Sequence, residues 1–123
     1  MKYVMLIFET PQNLESRKDP ERDPYVAAWR AYHKALVAAG AYLGGAPLKD
    51  VATATTVRVR EDRRHVQDGP FAEAKEQLGG FILLEAASLD AALEWAARCP
   101  AAASGAVEVR PVDVDYRARF GEP

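Results

Sequence analysis

The sequence has one cysteine, Cys99, and two histidines, His33 and His65. A lone cysteine excludes an intrachain disulfide and suits a reducing compartment. Two distant histidines and one cysteine offer no ligand spacing, so no metal site is expected. No apolar run approaches the roughly 20 residues of a membrane helix. The opening run, Met1 to Phe8, stops at Glu9 without a small-residue cleavage site and does not read as a signal peptide. These absences predict a soluble, cytoplasmic protein with no membrane partner. Neither sign of charge dominates: 16 basic residues against 18 acidic ones leave a net charge of -2, which argues against nucleic acid as a partner. Gly44-Gly45 and Gly79-Gly80 lack the pattern of a dinucleotide or phosphate-cradling loop, and no serine sits in a nucleophile elbow. No cofactor is expected.

What is present is ordinary globular usage. With 49% hydrophobic residues in 123, one core can carry the fold, and residues 1–123 read as a single domain. Tyr3 to Phe8 is a continuous apolar run of β-formers ended by Thr10-Pro11, and reads as a strand buried on both faces. Residues 9–22 are polar and read as a loop. Asp23-Pro24 supplies an N-cap and a proline at the first helical position. Tyr25, Trp29, Tyr32, Leu36 and Ala39 then form a helical stripe that Gly40 stops.

Ala41 to Pro47 reads as a second strand. Thr55 to Arg60 alternates, Glu61 to Arg64 turns, and His65 to Asp68 returns, giving a hairpin. Phe71 to Gln77 reads as a short helical turn. Phe81 to Leu84 is another apolar strand. Ser88 caps a second helix whose stripe is Leu89, Ala92, Leu93 and Ala96, and Pro100 ends it. Val107, Val109 and Pro111 mark a last strand, placed at an edge by its proline. The order is β-α-β, hairpin, β-α-β: an α+β fold on the ferredoxin-like plan.

Two helices cover only one face of such a sheet. The strands at 3–8 and 81–84 carry apolar side chains on both faces, so the uncovered face predicts a homodimer burying on the order of 1,500 Å². The alternative is that the hairpin folds over that face.

The segment Asp68-Gly69-Pro70-Phe71-Ala72-Glu73-Ala74-Lys75-Glu76-Gln77-Leu78-Gly79-Gly80 resembles the signature of DGPF-domain proteins, a branch of the YCII-related family. The flanking blocks Thr53 to Arg58, Ala91 to Pro100 and Val107 to Val112 are similar to family blocks in the family order. The resemblance implies a dimeric α+β barrel. It also implies two different associations: lactone-processing dehalogenases among YCII-like members, and genes beside alternative sigma factors among DGPF proteins. Members of the better-known branch carry a histidine early in the first helix and an aspartate just after the second. This sequence offers Trp29 and Cys99 at those places, so that acid/base pair is missing.

The candidate site residues are therefore this chain's own. Asp68 is the candidate base, with His33 as a possible acid; Gly69, Pro70, Phe71, Glu73, Lys75, Glu76 and Trp29 are candidate binding residues. Carboxylates and an amine clustered in a partly dry pocket shift one another's pKa values toward working pH, which suits proton transfer. Lys75 would face developing negative charge. Read structurally, Asp68-Gly69-Pro70 is only a turn and Trp29 only core. Cys99, at a helix C-terminus, is no nucleophile because the negative dipole end raises a thiol pKa. Two functions follow: a cofactor-independent enzyme performing isomerisation, elimination or dehalogenation on a small carbonyl or lactone, or a non-catalytic small-molecule-binding accessory protein linked to sigma-factor signalling. A purely structural interaction module, which needs no pocket, stays open beside them.

Overall fold

In the computed structural model, which describes residues 1–70 and 75–121, β1 (Lys2–Glu9) alternates between two environments. Tyr3, Met5, Ile7 and Glu9 are buried, while Val4, Leu6 and Phe8 on the opposite face are half-buried. Four strands form an antiparallel sheet. β5 (Gln77–Glu85) pairs with β1 on one side, β6 (Ala106–Pro111) pairs with it on the other, and β2 (Tyr42–Pro47) lies outside β5. This is the ferredoxin-like α+β arrangement, with β2 and β6 as edges, where Pro111 leaves no central ladder bond unmade.

Helices α2 (Pro24–Ala38) and α3 (Leu89–Arg98) cover the face that carries Tyr3, Met5 and Ile7, and Tyr32, Leu36, Ala92 and Ala96 complete the core. Fully buried side chains such as Leu36 and Leu84 each contribute about 2 kcal/mol. The caps are those the sequence predicts. The Asp23 carboxylate accepts from the Tyr25 N–H at 2.8 Å and the Ser88 hydroxyl from that of Ala91 at 3.2 Å. At the other end of α2, Gly40 has φ +69°, and the Gly40 and Ala41 N–H groups bond the Val37 and Leu36 carbonyls in a Schellman closure.

Several boundaries differ from expectation. Residues 9–22 are not all loop: α1 (Pro11–Glu15) is capped by the Thr10 hydroxyl, and a 3-10 turn, Ser16–Lys18, follows it. Thr10-Pro11 ends the strand by starting a helix, the same cap-then-proline signal as Asp23-Pro24. β5 begins at Gln77, four residues before Phe81, because Gly79 and Gly80 belong to the strand. In α3 the buried stripe is Ala92 and Ala96 with Trp95 half-buried, whereas Leu89 and Leu93 are exposed. Ala39 is likewise exposed, since it is the C-cap rather than part of the α2 stripe.

The hairpin forms a separate sheet of β3 (Thr55–Arg60) and β4 (Arg63–Asp68). Its turn is only Glu61-Asp62, both in the left-handed region at φ 53° and 59°, so Arg63 and Arg64 are strand residues. Val57, Val59 and Val66 stay more than half exposed, so among the described residues nothing covers the hairpin's apolar side. The open face of the main sheet leaves Phe81 and Leu83 exposed and Val4, Leu6 and Phe8 half-buried. A short helix, α4 (Tyr116–Phe120), which the sequence did not predict, follows β6.

Candidate active site

Period-2 alternation carries a carboxylate into the core face of β1. Glu9 follows Tyr3, Met5 and Ile7 on that face and is only 3% exposed. A buried carboxylate must be partnered, and this one is. Arg17 Nη2 donates to Glu9 Oε2 at 3.2 Å and the Tyr25 hydroxyl donates to Glu9 Oε1. The same guanidinium donates to the Gly79 carbonyl at 3.0 Å and to the Leu48 carbonyl. Arg17 thus gathers the ends of β1 and β5 and the residue after β2 around one carboxylate. Tyr25 reaches it from the first turn of α2, where the Asp23 cap and Pro24 fix the helix start.

This network floors a cavity of about 510 Å³ between α2 and the β1, β5 and β2 strands, a size that suits a small metabolite. Its wall is mostly apolar and aromatic: Ile7, Val26, Trp29, Tyr42, Leu48 and Ile82, with Ser16, His33 and Lys49 adding polar groups. The His33 ring meets Tyr42 edge-on at 4.6 Å between centroids, and Trp29 is set edge-on between Tyr25 and Tyr32 at 6.4 and 5.7 Å. Burial, then the bond to Glu9, pushes the Tyr25 phenol above the ordinary tyrosine range, so it stays protonated. Tyr32, also raised by burial, donates to the Trp95 carbonyl at 2.7 Å and serves the core.

The candidates from the sequence divide. Trp29 and His33 line the cavity, so Trp29 is not simply core as its helical spacing suggested. Asp68 is exposed at the end of β4, paired with Thr55, and is not among the lining residues. Its turn is tied to the start of β3: the Gly69 N–H bonds the Ala54 carbonyl and the Thr56 hydroxyl donates to the Gly69 carbonyl. Gly69 (φ +109°) and Pro70 are half-buried, and Lys75 and Glu76 are exposed. Asp68 and His33 are therefore not brought together within the chain, because the hairpin carries Asp68 into a sheet of its own. Phe71 and Glu73 lie outside the described residues, as does most of the expected 71–77 turn. Cys99 is buried, and burial pushes its thiol up to about 11, against the opposing backbone hydrogen bonds of Ala101 and Ala102.

Sequence reasoning missed Glu9, Arg17 and Tyr25 as a group. The signal was present, since a carboxylate in phase with Tyr3, Met5 and Ile7 has to be buried. By its polarity alone it reads instead as the first residue of the 9–22 loop. Among the described residues, no three His, Cys, Asp or Glu side chains converge as metal ligands, and no helix is long and apolar enough to cross a membrane.

A ferredoxin-like α+β chain with a partnered carboxylate at the floor of an aromatic cavity defines the class. The YCII-related domain model matches residues 1–114, and this chain belongs to that family, in which DGPF is a synonymous label. An uncharacterised protein, R00369 of Rhizobium meliloti (strain 1021), is 35% identical over 114 residues, covering 91% of this chain and 92% of that one. Among solved structures, the chain is similar to 5-chloro-2-hydroxyhydroquinone dehydrochlorinase (TftG) of Burkholderia phenoliruptrix AC1100, in complex with 2,5-dihydroxybenzoquinone. That similarity has a TM-score of 0.53 and 22% identity over 92% of this chain and 94% of the other, and it establishes the fold.

Proposed function

We propose that the chain is a cofactor-independent acid/base enzyme for a small, flat hydroxy-carbonyl compound, working in the cavity beneath α2. One observation carries the reading: His33 and the buried Glu9–Arg17–Tyr25 network line the same largely aromatic cavity. Imidazole is the side-chain type suited to take and return protons near neutral pH. In this reading His33 removes a proton from the carbon next to a carbonyl, and the C–H electron pair moves into an enolate. Returning that proton at another carbon isomerises the substrate; expelling a leaving group with the electron pair is elimination. All electrons stay in the substrate and its leaving group, so the step needs no redox partner.

The floor orients the substrate. Tyr25 has its one proton committed to Glu9, which leaves its oxygen as an acceptor for a substrate hydroxyl. Trp29 and Tyr42 give a flat ring large apolar surfaces, and Lys49 supplies a cation to the same cavity for developing negative charge. The dehydrochlorinase with the similar fold holds a ligand of this kind, which supports the substrate class. The base is thus reassigned from Asp68 to His33. We further infer that the open sheet face, with Leu6, Phe81 and Leu83, pairs with a second copy, because an apolar face of that extent is rarely left in water.

The test is a titration with 2,5-dihydroxybenzoquinone followed by Trp29 fluorescence in a Trp95→Phe background. Hydroxylated quinones and lactones are then screened by absorbance in the wild type and His33→Gln. Saturable quenching, with turnover lost in His33→Gln, is expected. Binding with no turnover of any compound would make the chain a small-molecule-binding accessory protein instead, and absence of both would remove the reading.

A further inference from the structure

Glycines 79 and 80 are consecutive, buried and in a strand, and neither has a positive φ. Backbone freedom does not explain them, so room must. An added Cβ at Gly79 would lie 2.8 Å from Glu9 Oε2 and 3.2 Å from Glu9 Cγ, whereas at Gly80 it would meet the Ala46 carbonyl oxygen at 2.9 Å. The ladder gives Gly79 a second distinction. Ile7 faces Gly80 and Phe8 faces Leu78, so Gly79 is the extra residue of a β-bulge. Its carbonyl leaves the β1 ladder and accepts from the Leu48 N–H at 2.8 Å and from Arg17 Nη2 at 3.0 Å.

A flexible glutamate would ordinarily step aside from a methyl group, but this one cannot do so freely. Both its oxygens are engaged, by Tyr25 and Arg17, and it is buried. We propose that Gly79 is the positioning residue of the site: its bare Cα is the recess in which the Glu9 carboxylate is seated, and the bulge aims that recess. The inference rests on reading the Glu9–Arg17–Tyr25 network as the floor of a working cavity. It also gives the 68–80 segment a part in the site at its glycine end rather than at Asp68.

The experiment combines Gly79→Ala with three changes at position 9 in the full chain. Stability is read by urea unfolding, and binding by titration with 2,5-dihydroxybenzoquinone. Gly79→Ala is expected to weaken the probe about tenfold or more. Adding Glu9→Asp, a shorter carboxylate, restores binding to within a few-fold, while adding the equally long Glu9→Gln does not. In unfolding, the cost of Gly79→Ala shrinks about tenfold or more, as an equilibrium factor, once Glu9 is cut to Ala. The cost of Gly80→Ala is the same with Glu9 or Ala at position 9. If Gly79→Ala leaves the probe's affinity unchanged, or if Glu9→Asp rescues no better than Glu9→Gln, the positioning role is overturned. If the wild type does not bind the probe, the functional reading loses its support, and the unfolding cycle alone decides the seating of Glu9: additive costs overturn it.

Discussion

The phenol of Tyr25 donates a hydrogen bond to Glu9 Oε1, joining the first turn of α2 to the last residue of β1 across 16 positions of sequence. Glu9 is nearly inaccessible while its other partner, Arg17, is 36% exposed at the side chain, so the network spans the boundary between core and solvent. That gradient decides what each substitution costs.

Arg17→Met leaves a buried carboxylate without its cation. Breaking a buried pair costs about 3 to 5 kcal/mol, and the partial exposure of Arg17 places this one near the lower end. Adding Glu9→Gln removes the uncompensated charge and should recover much of the loss. Urea unfolding of the two variants checks this; an Arg17→Met cost below about 1 kcal/mol would mean that solvent already screens Glu9.

Alkaline pH should destabilise the fold in two steps. The Cys99 thiol is pushed by burial from 9.0 up to about 11. The folded state therefore holds its proton where the unfolded state has lost it, and the associated stability is complete below pH 9 and lost as pH rises to about 11. The loss is on the order of 2 kcal/mol. Tyr25 and Tyr32, also raised by burial from 10.0, add their loss above pH 10. Unfolding midpoints at pH 8 and 10.5 should differ less in Cys99→Ala than in the wild type.

Trp29→Ala separates cavity wall from core. A fully buried tryptophan costs about 3 to 5 kcal/mol when truncated, whereas Trp29 is half-buried and should cost roughly 2. Its larger effect should fall on ligand binding. A cost in the full core range with unchanged binding would return Trp29 to the role its helical spacing alone suggested.

The order of elements and the caps were legible because each has a local signal: Asp23-Pro24, Gly40 and Ser88 act within a turn of their own position. The hairpin was legible from the alternation in 55–60, although not its two-residue turn, since Glu61 and Asp62 lack the Asn-Gly chemistry that usually marks left-handed pairs. The site was largely illegible. Glu9, Arg17, Tyr25 and Gly79 come from four different elements, and they meet only where the bulged β1–β5 pairing, the 3-10 turn and the start of α2 pack together. Asp68 drew attention by its conspicuous neighbours, yet the features that give the segment a turn, Gly69 and Pro70, also lead Asp68 away from the cavity.

Sedimentation should give twice the 13.5 kDa of one chain at micromolar concentration. Leu83, exposed on the open sheet face, is the position to test. Leu83→Asp puts a charge where two copies would meet and should produce a folded monomer, because in the monomer that side chain already borders water. A wild type that sediments as a monomer would rule out the pairing.

Asp68→Asn and His33→Gln together decide where the chemistry lies. Asparagine keeps the size and turn-forming bonds of aspartate while removing its charge and its capacity to take a proton. With Asp68 exposed on the hairpin and outside the cavity, Asp68→Asn should bind and turn over substrate as the wild type does, with stability within about 0.5 kcal/mol. Glutamine at 33 keeps a hydrogen-bonding side chain at an exposed helical position but cannot shuttle a proton near neutral pH, so it should spare the fold and lower turnover by about 10² to 10⁴. The two readings predict opposite patterns: loss in Asp68→Asn with activity retained in His33→Gln would restore the hairpin carboxylate as the base. The compounds to use are those turned over by the wild type, followed by absorbance.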